Sequence, residues 1–202
     1  MNDDLLFIDD DEEDVVEDLG TWKILIVDDE PEVHAITKLA LNDFFLNGKT
    51  LEFISAYNGD EAKRCFREHD DIAVVLLDVV MESDDAGLLV AEYVRNELDN
   101  HFTRIILRTG QPGQAPEKDV IINYDINDYK SKTELTAQKL FTVIIAALRS
   151  YRDIIVIEES RAGLEKIIDA SVDLFSSNSL EKFMQGIIQQ LASILGCSKD
   201  AA

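Results

Sequence analysis

Ile-Ala-Val-Val-Leu-Leu-Asp-Val-Val-Met, residues 72–81, decides the fold of this 202-residue chain. The run is apolar throughout except for one carboxylate, Asp78, near its C-terminal end. Because strands that are apolar on both faces are typical of parallel sheets covered by helices on both sides, this run predicts an inner strand of such a sheet. Ligands of open parallel sheets bind beyond the carboxyl ends of the strands, so Asp78 is predicted to lie at the binding edge.

Strand and helix patterns alternate on either side of this run. Apolar, β-branched segments predict strands at residues 23–27, 51–56, 72–77, 103–107 and 126–129. Helical spacing predicts helices at residues 31–44, 60–68, 87–98 and 116–123 and from residue 135 onward. Five strands alternating with five helices indicate an α/β fold with a doubly wound, five-stranded parallel sheet.

The two ends of the chain differ from this central region. Residues 1–20 hold ten acidic residues and no Lys or Arg, which predicts a disordered acidic arm. Residues 151–178 continue the fifth helix at roughly heptad spacing, which predicts a helical linker that packs within the chain or pairs in a homodimer. Residues 179–202 begin a further helix whose wide apolar stripe needs a cover, so we expect a truncated piece of a longer protein or a partner chain.

Composition excludes several classes of function. A formal net charge of -22 disfavours direct binding to nucleic acid or to an anionic membrane. No apolar run approaches the roughly 20 residues of a membrane span, and the N-terminus is acidic where a signal peptide is basic. Cys65 and Cys197 have no second thiol nearby, which is typical of a reducing compartment and predicts a cytoplasmic protein.

Charged and polar side chains follow the ends of four predicted strands. Asp28 and Asp29 follow the first strand, Asp78 ends the third, Thr109 follows the fourth and Lys132 follows the fifth. An Asp-Asp pair alone could simply cap the next helix, but all five positions converge at one edge of the sheet. Clustered carboxylates repel one another by about a few kcal/mol per pair. Their hard oxygen ligands therefore predict a bound Mg²⁺.

Four motifs resemble the receiver domain of bacterial two-component response regulators, the CheY-like family. They are Ile-Leu-Ile-Val-Asp-Asp-Glu-Pro at 24–31, Leu-Leu-Asp-Val-Val-Met at 76–81, Leu-Arg-Thr-Gly at 107–110 and Asn-Asp-Tyr-Lys-Ser-Lys at 127–132. Each motif is weak alone, but the four in order at these spacings are specific. The resemblance covers residues 21–150 and implies a flavodoxin-like sheet with strand order 2-1-3-4-5.

The resemblance also implies a phosphotransfer site. Asp78 would be the phosphoacceptor that attacks a phosphoryl group carried by a histidine kinase or phosphotransfer protein. Mg²⁺ would bind to Asp29 and Asp78 directly, to Asp28 mainly through water, and to the backbone carbonyl of Val80.

A second set of residues would bind the phosphoryl group and report its presence. The resemblance assigns this role to Thr109, Lys132 and the Gly110 backbone, with Tyr129 turning as Thr109 moves. The face formed by the fourth helix, the fifth strand and the fifth helix would change shape and act on the C-terminal helix. We expect a homodimer through this face or through the C-terminal helix.

The sequence departs from the family pattern at a few positions. Glu82 and Thr133 stand where Pro is usual, and Val80 places an apolar side chain beside the phosphorylation site. A Mg²⁺-dependent phosphatase would need an Asp at the position of Val80, so we reject that reading. A scaffold or dimerisation module that does not depend on phosphorylation is the alternative function.

The C-terminal part carries a looser resemblance. Residues 179–202 resemble the opening helix of a GAF-like domain, of the kind found in cyclic-dinucleotide signalling proteins. Because no output domain is visible in the sequence, we expect no enzyme activity beyond the receiver's own phosphorylation and dephosphorylation.

Overall fold

The structure, a computed structural model, describes residues 20–110, 121–122, 124–132, 136–176 and 179–194. The chain divides into two compact units, Met1–Arg152 and Asp153–Ala202. The predicted acidic arm lies outside the described residues except for Gly20, and Cys197 also lies outside them.

A five-stranded parallel sheet forms the centre of the first unit. Its strands are β1 (Thr21–Val27), β2 (Thr50–Ala56), β3 (Ile72–Asp78), β4 (Arg104–Thr109) and β5 (Asp128–Ser131), and they lie in the order β2-β1-β3-β4-β5. The predicted α/β fold, with strand order 2-1-3-4-5, is confirmed.

Five helices are described along the chain: α1 (Pro31–Ala40), α2 (Gly59–Glu68), α3 (Ala86–Glu92, continued by a π-helical turn at Tyr93–Glu97), α4 (Ala137–Ser176) and α5 (Ser179–Ile194). Pro31 opens α1 at a position where its missing N–H costs nothing, and the Asn58 side chain caps α2 by accepting a bond from the Glu61 N–H. The predicted fifth helix is α4, and most of the predicted fourth helix, 116–123, lies outside the described residues.

Several element boundaries lie one or two residues from the sequence prediction. The first helix differs more, since it ends at Ala40 rather than near residue 44, although Phe44 is buried. The fifth strand begins at Asp128 rather than at Ile126. The reason is that Asn127 pairs with Ile105 through its backbone N–H and its side-chain oxygen, which replaces the first regular ladder contacts.

The sheet is buried on both faces. Every residue of β3 is buried, and alternate side chains enter two hydrophobic clusters. Val75 and Leu77 pack in the cluster that contains residues of α2 and α3, whereas Val74 and Leu76 pack in the one that contains residues of α4. This two-sided burial is why residues 72–81 read as an unbroken apolar run, and it holds the carboxyl end of β3 in a fixed place.

The second unit contains the later part of α4 and all of α5. Both segments expose large apolar side chains: Val156, Ile157, Leu164, Ile167, Ile168, Phe183, Met184, Ile187, Ile188 and Leu191. The predicted helical extension is confirmed, while its division at residue 178 stays a prediction. Within the described part of the chain, no helix has the length and apolar character that crossing a bilayer would take.

Candidate functional site

Three carboxylates meet at the carboxyl edge of the sheet. Oxygen atoms of Asp28, Asp29 and Asp78 all lie within 4.8 Å of one another. Adjacent strands bring them together, because Val27 of β1 is paired in register with Leu77 of β3. Asp28 and Asp78 are buried and Asp29 is exposed, so the cluster has a buried floor and an open side.

One atom of this cluster indicates a ligand. Asp78 Oδ1 is buried and has no hydrogen-bond partner among the described residues. A buried carboxylate oxygen left unpaired costs about 1–3 kcal/mol, more when it is charged. The donor set consists only of carboxylate oxygens at the open end of a sheet, so it fits the hard, partly hydrated Mg²⁺ ion.

Lys132 supplies positive charge to the cluster. Its Nζ lies 2.8 Å from Asp78 Oδ2, 3.1 Å from Asp28 Oδ2 and 3.0 Å from Glu30 Oε1. The Lys132 backbone N–H donates to the Thr109 carbonyl at 2.8 Å, which fixes the residue just beyond β5. Burial disfavours the charged ammonium, but hydrogen bonds to Asp78 and Glu30 outweigh this cost and raise the pKa of Lys132.

Asp78 is less easily ionised than an ordinary aspartate. Burial raises its pKa, the Lys132 ammonium offsets part of that rise, and the nearby Asp28 carboxylate adds to it. Further positive charge near Asp78 Oδ1 would therefore favour the anion. A cation bound at this site would therefore favour the ionised form of Asp78, which is the form that can act as a nucleophile.

Arg108 is a member of the site to which sequence reasoning gave no role. Its guanidinium is 4% exposed, and it lies 3.4 Å from Asp28 Oδ2 and 3.1 Å from Thr37 Oγ1. Arg108 stands opposite Asp78 in the β3–β4 register. A charged residue in the otherwise apolar run Ile-Ile-Leu-Arg-Thr was the signal that could have revealed it.

Close backbone packing holds the end of β3. A Cβ atom at Gly87 would lie 2.0 Å from the Asp78 carbonyl oxygen, so α3 can start against the strand only because residue 87 is glycine. The Gly87 N–H donates to the Val79 carbonyl at 3.0 Å. Glu82, at the unusual position in the following loop, accepts a 2.8 Å hydrogen bond from the Gly59 N–H and so ties this loop to α2.

The other predicted site residues lie around this centre. Thr109 is buried at the end of β4, next to Ser131 in the β4–β5 register, and Gly110 follows it on the exposed side. Val80 is 37% exposed, two residues beyond Asp78. Tyr129 is half-buried against the core cluster on the α2 and α3 side. The structure brings Asp28, Asp29, Asp78 and Lys132 into one cluster, and the roles of all eight residues stay predictions.

Two family models match the sequence. The model described as "Response regulator receiver domain" matches residues 24–145. The model described as "Domain of unknown function (DUF3369)" matches residues 144–202. The second match gives no support to a GAF-like domain at residues 179–202, so that resemblance stays a prediction.

A curated relative and several solved structures are similar to the chain. A 3'3'-cGAMP-specific phosphodiesterase 2 of Vibrio cholerae serotype O1 is 47% identical over 174 residues, which is 86% of this chain and 33% of the relative. The signal receiver domain of a putative Luxo repressor protein from Vibrio parahaemolyticus has a TM-score of 0.58 at 20% identity and covers 68% of this chain and 98% of that chain. The signal receiver domain of an HD domain-containing protein from Pseudomonas fluorescens Pf-5 has a TM-score of 0.55 at 20% identity, and the match covers 66% of this chain and 98% of that chain.

These comparisons correct one expectation. We expected no enzymatic output, and this was wrong, because the curated relative that matches 86% of the chain is a phosphodiesterase. The chain spans about a third of the length of that relative. The solved structures, at about 20% identity, bear on the fold alone.

Proposed function

This chain belongs to the response regulator receiver family, and from this premise we propose that Asp78 is phosphorylated by a histidine kinase or phosphotransfer protein. The observation that carries the proposal is the buried Asp78 Oδ1, which has no partner among the described residues and lies in a cluster of three carboxylates. The intact set of Asp28, Asp29, Asp78, Thr109 and Lys132 favours this function over a scaffold that needs no phosphoryl group.

We assign the metal site to four groups of this chain. Asp29 and Asp78 would bind Mg²⁺ directly, Asp28 mainly through water, and Val80 through its backbone carbonyl. Asp28 suits the indirect role because its oxygens already bind Lys132, Arg108 and the Glu30 N–H, whereas Asp29 has no such partner among the described residues. When bound, Mg²⁺ would neutralise the negative charge of the phosphoryl oxygens during transfer.

The chain's own residues do the remaining work. Lys132 favours the ionised Asp78 carboxylate that attacks phosphorus, and it then pairs with a phosphoryl oxygen. The Thr109 hydroxyl and the Gly110 N–H donate to other phosphoryl oxygens. The bond to the donor's leaving group breaks as the bond to an Asp78 oxygen forms, so the roughly two negative charges of the phosphoryl group replace the single charge of the Asp78 carboxylate.

This added charge would drive the switch. Thr109 moves toward the phosphoryl group, and Tyr129 turns into the space that it leaves. The face around β5 and the start of α4 then changes, and the change passes to a homodimer contact on this face or along α4. A Lys132→Ala variant should keep most of its Mg²⁺ binding. It should lose the change in amide hydrogen exchange that phosphorylation of Asp78 produces at residues 128–131. A change as large as that of the wild type would refute the role of Lys132.

We further propose that the whole protein is a cytoplasmic phosphodiesterase that this receiver regulates. The support is the 47% identity to a 3'3'-cGAMP-specific phosphodiesterase, over a region that includes both the receiver and the helices after it. The chemical class of the substrate would be a cyclic dinucleotide.

Beryllofluoride, which mimics a phosphoryl group, tests the receiver proposal. Fluorine NMR of the 202-residue chain with Mg²⁺ and beryllofluoride should show a bound resonance that disappears in Asp78→Ala. Asp84→Ala is the matched control, since Asp84 is an exposed acidic residue six positions along the same segment. A bound resonance that persists in Asp78→Ala, or that never forms, would favour the scaffold instead.

A further inference from the structure

Arg108 is a buried cation inside the acidic site. Its guanidinium has two partners: Asp28 Oδ2 at 3.4 Å, and Thr37 Oγ1 of α1 at 3.1 Å. Arg108 Nε is buried and has no partner among the described residues. Burying a guanidinium is costly, and two contacts of ordinary length do not use its five donors. An arginine that served only to stabilise the fold would be expected to have more hydrogen-bond partners.

Arg95 shows how this protein binds an arginine that stabilises the fold. Its guanidinium donates to the backbone carbonyls of Asn100, Thr103 and Asp125 and forms an ion pair with the Asp125 carboxylate at 3.0 Å. Among the described residues, Arg108 by contrast forms an ion pair with one carboxylate, Asp28, which belongs to the candidate metal site. The contacts of Arg108 therefore place its positive charge against the carboxylates of the site, and they do not tie backbone segments together as those of Arg95 do.

The buried charges of the site are balanced without a metal ion. Asp28 and Asp78 carry the two buried negative charges, and Lys132 and Arg108 face them as two cations. Both cations share Asp28 Oδ2, so this oxygen is occupied. The exposed carboxylates of Asp29 and Glu30 add two further negative charges. Any divalent cation that enters the site meets resident positive charge on the side of Asp28.

We propose that Arg108 is a positioning residue that holds the Asp28 carboxylate and weakens the affinity of the site for Mg²⁺. This inference rests on the proposed function, because it assumes that the carboxylates bind Mg²⁺. Arg108 keeps the buried carboxylates paired when no metal is bound. It also couples metal binding to α1, since the same guanidinium bonds Thr37.

Calorimetric titration of Mg²⁺ into the 202-residue chain tests this role. Arg108→Gln removes the charge but can still donate to Thr37, and we expect its Kd for Mg²⁺ to fall by about tenfold or more, because the repulsion between the guanidinium and a divalent cation is lost. Arg108→Lys keeps the charge and should stay within about threefold of wild type. If the Gln variant does not fold, Arg108→Met takes its place with the same expectation.

The chain offers a matched control in Arg104. It is a buried arginine of the same strand, four residues earlier, and it donates to the backbone carbonyls of Phe102 and His101. Four residues of strand separate it from Arg108 by about 13 Å. Arg104→Gln should therefore leave the Kd for Mg²⁺ unchanged.

Each outcome has one meaning. An Arg108→Gln Kd that is unchanged or weaker, or an equal tightening in Arg104→Gln, overturns the role of Arg108. Asp29→Asn should abolish Mg²⁺ binding in the otherwise wild-type chain, which tests the metal site by itself. A wild-type chain that binds no Mg²⁺ overturns both the metal site and this inference.

Discussion

Gly87→Ala should damage the proposed phosphorylation site through the backbone rather than through any charge. The new Cβ would lie 2.0 Å from the Asp78 carbonyl oxygen and 2.9 Å from Val79 Cα. Since these are backbone atoms, no side chain can rotate away, and α3 must move from β3 by about 1 Å. Overpacking of this kind costs about 1–3 kcal/mol. The weakened Gly87–Val79 hydrogen bond adds about 1 kcal/mol.

Urea unfolding followed by Trp22 fluorescence measures this loss. Trp22 is the only tryptophan and is buried in β1, so its signal reports the first unit. A total loss of about 2–4 kcal/mol moves the midpoint down by about 1–2 M urea. Gly163→Ala is the control, since its Cβ meets nothing within 4 Å on an exposed part of α4 and the Trp22 transition should stay in place. A Gly87→Ala midpoint within about 0.3 M of wild type would refute the reasoning.

Three further predictions concern polar groups. Arg95→Met should lower the free energy of unfolding by about 3–5 kcal/mol because it removes a buried guanidinium and leaves backbone carbonyls without their donor, measured by the same urea titration. Glu82→Ala should lower the free energy of unfolding by about 1 kcal/mol, because it removes the acceptor of the Gly59 N–H. Glu82→Gln still offers an acceptor oxygen and should keep most of this stability. Equal losses in the two variants would rule out this hydrogen bond as the cause. Asp78→Asn should raise the melting temperature at neutral pH, because burial raises the pKa of Asp78 and its ionised form destabilises the fold. That gain should shrink as the pH falls through the raised pKa of Asp78 and vanish well below its ordinary value of 3.8, where the carboxyl is protonated in both the folded and the unfolded states; a gain that does not depend on pH would contradict this explanation.

The fold could be predicted from sequence because its strongest pattern reports two-sided burial. Residues 72–81 are apolar on both faces since hydrophobic clusters lie on both sides of β3. The cluster of Asp28, Asp29, Asp78 and Lys132 followed from the same pattern, because parallel strands carry their C-terminal residues to one edge.

Other features depend on distances that no local pattern contains. Arg108 could not be given a role, since the carboxylate that it contacts, Asp28, follows a different strand and lies 80 residues away in the sequence. The predicted start of β5 was two residues too early, because the Asn127 side-chain oxygen takes the place of a backbone carbonyl as the acceptor of the Ile105 N–H. The expectation of no enzymatic output is corrected by similarity to a phosphodiesterase, of which the chain spans about a third, and not by any residue pattern.

Phosphorylation of Asp78 tests the central claim most directly. The 202-residue chain is incubated with Mg²⁺ and acetyl phosphate and its intact mass is measured, beside Asp78→Ala and a sample in which EDTA removes the metal. We predict that wild type gains the mass of one phosphoryl group and that neither Asp78→Ala nor the EDTA sample gains it. An unmodified wild-type chain, or equal modification of Asp78→Ala, would contradict the account.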